Sequence, residues 1–211
     1  MARLNNGILG GGSGKVGTVV MYTRYGREFV RSLPTPTKDK KTPGQLAQRQ
    51  KMALIHQFLR PEKELIQKTF ANDSSTRSPY QSAQSYNLKH AIAGEYPDQY
   101  IDLQKGLISK GNIPLPAEIT YVANKDGIRI NWNTGIKEPN AEDYDTLMIV
   151  WKYKQSDFID YTTVGARRYN GTFLWTEITG EELKDYTIWL IFRNREETDY
   201  SNSYCLHIAD K

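Results

Sequence analysis

The sequence predicts an α+β protein in three parts. A glycine-rich, basic arm with a β-hairpin covers residues 1–41, a small three-helix region covers 42–110, and an all-β sandwich covers 111–211. Three observations carry the division. β-branched and aromatic residues crowd both sides of Tyr25-Gly26. Thr42-Pro43 and Ser78-Pro79 are helix-opening pairs placed ahead of apolar residues at helical spacing. After Ile101 the apolar residues gather into short runs separated by turn residues.

Residues 1–15 read as a flexible arm, because glycine dominates and no apolar period is present. Residues 16–24 (VGTVVMYTR) and 27–33 (REFVRSL) read as two strands joined at Tyr25-Gly26. A lone hairpin is marginal in water, so this one must pack on something else. Residues 34–41 form an extended, charged connector. A helix then opens with Thr42 at the N-cap, Pro43 in the first turn and Gln45 completing a capping box. Leu46, Ala53, Ile55, Phe58 and Leu59 give it an apolar side. Pro61 starts a second helix with Leu65, Ile66 and Phe70 inward. Ser78-Pro79 caps a third, with Tyr80, Ala83, Tyr86 and Ala91 inward and Gly94 at its end. Six strands are expected beyond residue 111, at 119–123, 128–132, 147–152, 172–175, 186–192 and 203–208.

Two resemblances add to this reading. The alternation Ile119, Tyr121, then Ile128, Ile130, Trp132, and later Leu183-Lys-Asp-Tyr186 followed by Ile188, Leu190 and Phe192, resembles a fibronectin type III or related immunoglobulin-like domain. Trp132 would be that family's core tryptophan and Tyr186 its tyrosine corner. The resemblance implies a fold and no activity. Across the whole chain, Gly7-Ile-Leu-Gly10, Ser13-Gly-Lys-Val-Gly17, Val19-Val20, Arg31-Ser-Leu-Pro34, residues 45–49, Ser85-Tyr-Asn-Leu88 and residues 109–115 resemble an uncharacterised bacterial family. That family is a domain of unknown function common in Bacteroidota. Met21-Tyr-Thr-Arg24 departs from its pattern, where a shorter polar segment is expected.

The charge is polarised along the chain. Residues 1–60 hold 11 Lys and Arg against 2 acidic residues, a net of +9, whereas residues 111–211 hold 11 against 16, a net of −5. A basic front and an acidic back attract one another or attract different partners. One cysteine, Cys205, excludes an internal disulfide and any multi-cysteine zinc site. No signal-peptide core and no membrane-length apolar run is found, so cytosolic synthesis is expected. The sequons at Asn72 and Asn170 then read as chance.

No catalytic centre, cofactor site or metal site is expected. The stretch Gly10–Lys15, ending in Ser-Gly-Lys, only imitates a phosphate loop: Leu9 stands where the first glycine belongs, and Val16 replaces the magnesium-holding hydroxyl. His56, His90 and His207 are dispersed, and Cys205 with His207 offers two ligands without a third. The pairs Glu142-Asp143, Glu181-Glu182 and Glu196-Glu197 read as solvated loop carboxylates. The remaining signal is the basic, aromatic front. Val19, Val20, Tyr22 and Val30 are the residues expected to add to a neighbour's sheet, with Arg24, Arg27 and Arg31 steering and pairing. The expected function is structural: self-association into a homo-oligomer, extending to a filament or a virus-like particle. The partner is another copy or another structural protein. Nucleic acid bound by the same arm, and an adhesion or carbohydrate-binding module exposing Trp151 and Trp175, are the alternatives.

Overall fold

The structure is a computed structural model that describes residues 2–4, 12–73, 77–135, 138–156 and 158–206. Contacts divide the chain into residues 1–43 and 44–211. Among the described residues, three α-helices and four antiparallel sheets make it an α+β protein.

The first unit is one sheet, ordered β1-β4-β3-β2, from β1 (Ala2–Leu4), β2 (Gly14–Val16), β3 (Val19–Arg24) and β4 (Arg27–Ser32). The central hairpin closes in two residues, Tyr25 at φ 49° and Gly26 at φ 68°. Positive φ at both positions makes this a type I′ turn, whose twist matches that of the flanking strands. The two ends of the segment expected to be a loose arm are instead strands: β1 pairs with Glu28–Val30 and β2 with Val19–Met21. The Gly7–Gly10 stretch lies outside the described residues.

The second unit begins with α1 (Pro43–Leu59), α2 (Lys63–Thr69) and α3 (Pro79–His90). Ser78 caps α3, its hydroxyl accepting from the Gln81 N–H at 3.2 Å. Ala53, expected inward, is exposed, whereas Ile55 and Leu59 are completely buried. A small ribbon, β5 (Ile92–Ala93) and β6 (Tyr100–Ile101), follows.

The remaining strands form two sheets. One is ordered β11-β8-β7, from β7 (Thr120–Asn124), β8 (Gly127–Asn131) and β11 (Thr172–Trp175). The other is ordered β10-β9-β12-β13, from β9 (Thr146–Tyr153), β10 (Ile159–Thr162), β12 (Tyr186–Arg193) and β13 (Tyr204–Cys205). Sequence patterning missed β10, whose Ile-Asp-Tyr-Thr is too polar to stand out. The strand expected at 203–208 is described only over Tyr204–Cys205, and 207–211 lie outside the described residues.

Alternate residues of β9 and β12 serve two cores. Leu147, Ile149, Ile188, Leu190 and Phe192 pack with Ile128, Ile130, Trp132 and Trp175 of the facing sheet. Met148, Val150, Trp189 and Ile191 point the other way and pack under Ile55, Phe58, Leu59, Ile66 and Phe70 of the helices. The β9–β12 sheet is thus buried on both faces, which is why its two long strands carry nearly unbroken apolar runs. Asn87, fully buried on α3, ties the helices to the following chain. Its amide donates to the Leu107 carbonyl and its oxygen accepts the Leu107 N–H, both at 2.9 Å.

Candidate functional site

Strand alternation sorts the side chains of the N-terminal sheet onto two faces. Register places Lys15 beside Val20, Val20 beside Arg31, Tyr22 beside Phe29, and Arg24 beside Arg27, all on one face. The opposite face carries Val16, Val19, Met21 and Val30. The seven expected interaction residues are therefore split: Val20, Tyr22, Arg24, Arg27 and Arg31 come together, and Val19 and Val30 lie behind them.

The basic face is a layer of rings and guanidiniums. Tyr22 and Phe29 stack with centroids 5.6 Å apart and planes 21° from parallel. The Arg31 guanidinium sits 5.9 Å from the centre of the Tyr22 ring, and that of Arg24 sits 5.3 Å from Tyr25. Cations held over aromatic faces have their stems ordered along the rings. The edges of the hairpin differ from the expectation of open strands: β2 covers β3 over Val19–Met21, and β1 covers β4 over Glu28–Val30. The tip Arg24–Arg27 extends beyond both partners. Lys15 and Val16 sit within β2, so the glycine-rich stretch feeds a strand where a phosphate loop would feed a helix.

Among the described residues of this unit, Met21 alone among the hydrophobic side chains is buried, and Val16 is 62% exposed. A sheet of four strands with an apolar face normally lays that face against a second layer.

The other residues weighed from sequence are accounted for locally. His56 meets Gln84 at 3.2 Å, and His90 packs on Tyr86 with ring centroids 4.6 Å apart. His207 lies outside the described residues. Cys205 is buried in the helix-facing core, and burial pushes its thiol up to about 12. Among the described residues no group of three or more His, Cys, Asp or Glu could hold a metal. Glu182 accepts from the Thr179 hydroxyl at 2.8 Å, and Glu197 pairs with Arg193 at 2.9 Å. Trp175 is buried, with Trp151 packed on it at 5.0 Å, so neither ring is an open platform. Among the described residues no helix is long and apolar enough to cross a membrane.

Sequence reasoning missed Glu62. It lies just before α2, is 1% exposed, and neither carboxylate oxygen has a hydrogen-bond partner among the described residues. Burial pushes its carboxyl up to about 8, and the charge of Lys152 offsets that only in part. A glutamate at the start of a helix ordinarily reads as a dipole-matched surface residue, so no local signal could have flagged it.

The sheet unit and the layered body define an α+β protein, and its N-terminal sheet presents a cationic, aromatic face. The family described as "Family of unknown function (DUF6266)" matches residues 11–207, and the chain belongs to it. No curated protein and no solved structure matches the chain.

Proposed function

We propose that this is a structural protein that self-associates through its N-terminal sheet. The observation that carries the reading is the sheet of residues 1–43, taken by itself: an apolar face led by Val16, Val19 and Val30, on which Met21 is the one buried hydrophobic side chain among the described residues. A second copy is the proposed occupant of that face. The basic face opposite it gives orientation, since the β-rich end of the chain is acidic. A contact between unlike surfaces repeats head to tail, closing as a ring or growing as a filament such as those of virus-like particles. The strand order of the two C-terminal sheets, β7-β8-β11 against β10-β9-β12-β13, is compatible with a fibronectin type III-like sandwich. Such a sandwich would serve here as a rigid spacer made in the cytosol.

The test compares the full chain with residues 42–211 by sedimentation velocity across concentration. The reading expects a species larger than the monomer that disappears on truncation. Two identical monomers would overturn it.

A second reading has one specific observation in its favour. Lys15, Arg24, Arg27 and Arg31 share a face with Tyr22 and Phe29, the pairing of phosphate-seeking cations and base-stacking rings used by single-strand binders. A gel shift at two salt concentrations separates the readings, because phosphate contacts weaken steeply as salt rises.

A further inference from the structure

At one end of the paired sheets lies an open cleft of about 340 Å³ lined by residues 133–134, 141–144 and 168–169, Arg168 among them. Two tyrosines stand at it about half exposed, Tyr144 at 58% and Tyr169 at 51%, edge to face with centroids 6.1 Å apart.

The two loops are stitched together from beneath. The Arg168 N–H donates to the Asp145 carbonyl at 2.7 Å and the Tyr169 N–H to the Asp143 carbonyl at 3.2 Å. Below them Arg168 is buried. Its Nε donates to Asp145 at 3.2 Å, its Nη2 donates to the Pro114 carbonyl at 2.6 Å, and its guanidinium lies 4.8 Å from the Phe192 ring centre. The Trp132 Nε1–H donates to the Arg168 carbonyl at 2.7 Å. Loops held this way present their tyrosines in one arrangement, so a ligand meets a preformed surface.

The chemistry of the cleft favours a cation. Glu142 and Asp143 are exposed carboxylates, and Glu138 and Asp145 lie in the same loop. Against these stand, among the described residues, two guanidiniums, and the sequence adds Lys137 beside Glu138. That of Arg168 pairs with Asp145 and also feels the charges of Glu138 and Asp143, and that of Arg167 already lies 5.3 Å from the Tyr144 ring centre. Tyr144 thus shows the cation–ring contact in place, and Tyr169 with the two exposed carboxylates is open for another.

We infer that this cleft receives the hairpin tip, Arg24-Tyr25-Gly26-Arg27, of a second copy. The tip is complementary in each respect. It carries two adjacent guanidiniums, it extends past the strands that flank it, and Tyr25 adds a 50% exposed ring. An arginine of the tip lies over Tyr169 and meets Glu142 or Asp143, a charge-assisted contact that planar guanidinium suits better than ammonium. This names the acceptor for the self-association proposed above and rests on that reading.

The experiment uses two full-length variants that are each defective on one side: Arg24→Glu with Arg27→Glu at the tip, and Tyr169→Ser with Glu142→Lys and Asp143→Lys at the cleft. Each alone should sediment as a monomer, with self-association weakened at least tenfold. Mixed together they should form a one-to-one dimer, because one keeps its cleft and the other its tip. Tyr169→Ser alone, at an exposed position, should weaken association in the same direction and guards against misfolding of the triple variant. If the cleft variants assemble like the unaltered chain, the cleft is not the acceptor, although self-association through the sheet survives. If both variants are monomers and their mixture stays monomeric, the cleft assignment fails as well. If the unaltered chain never associates, both ideas fall.

Discussion

Arg24 and Arg27 are direct cross-strand partners at the closing position of the N-terminal hairpin, two like charges on the same face of the same sheet. Like charges set opposite one another destabilise a strand pair by a few tenths of a kcal/mol. Arg27→Glu should therefore stabilise the isolated sheet by roughly 0.5 kcal/mol and yet weaken self-association at least tenfold. Opposite signs in thermal denaturation and in sedimentation would separate the role of this pair in folding from its role in binding. The same sign in both would leave it no role in assembly.

Glu62 links stability to pH. Its folded carboxyl is held at about 8, above the ordinary 4.5, so the native state keeps a proton that the unfolded chain releases. Its contribution is complete below about 4.5 and is lost as pH rises through about 8. Lys152 from β9 and the neutral phenol of Tyr80 from α3 face the group, and the lysine charge offsets the burial only in part. Between pH 5 and pH 8.5 the chain should lose stability on the order of 2–4 kcal/mol. Glu62→Gln should flatten the fall in urea titrations, and an equally steep fall in that variant would assign the effect elsewhere.

Arg168 and Asp145 form a buried ion pair beneath the cleft. Arg168→Met strands a carboxylate that burial already pushes toward its protonated form, and should cost about 3 kcal/mol. Adding Asp145→Leu should recover part of that loss, since removing both charges leaves no unpaired one. Chemical denaturation of the two variants decides it.

Gly127 sits at φ 141°, and a methyl group there would collide with the Trp175 carbonyl of the neighbouring strand. Gly127→Ala should destabilise the chain by about 2 kcal/mol or more, from backbone conformation and overlap together. A melting temperature equal to that of the unaltered chain would mean the β8–β11 approach is looser than described.

Cys205 should resist alkylation. Its thiol is buried and held up to about 12, so at pH 7.5 almost no thiolate exists to react. Iodoacetamide should modify it orders of magnitude faster in denaturant than in buffer, as read by intact mass.

The parts legible in the sequence were those set by local chemistry. Ser78-Pro79 announced α3 because a hydroxyl cap and a donor-free first turn are local devices. β9 and β12 were legible as strands from their apolar runs, and those runs also encode burial on two sides, a tertiary fact that periodicity alone leaves ambiguous. Three features escaped. β10 is held by pairing with β9 and not by its own composition. β1 and β2 owe their strand conformation to the hairpin they flank, among glycines that favour no structure alone. The Tyr144–Tyr169 pair joins positions 25 residues apart in sequence through a buried arginine, a relationship visible only in three dimensions.

Tyr25 occupies a left-handed backbone position that asparagine or glycine fills at lower energy, a difference of roughly 1 kcal/mol. A laboratory campaign that ranks variants by heat tolerance would be drawn toward asparagine there and would strip away the ring that Arg24 covers. For this chain, thermal screening and functional screening would pull the same codon in opposite directions, and a library sorted on the first alone would enrich well-folded molecules with a blunted tip.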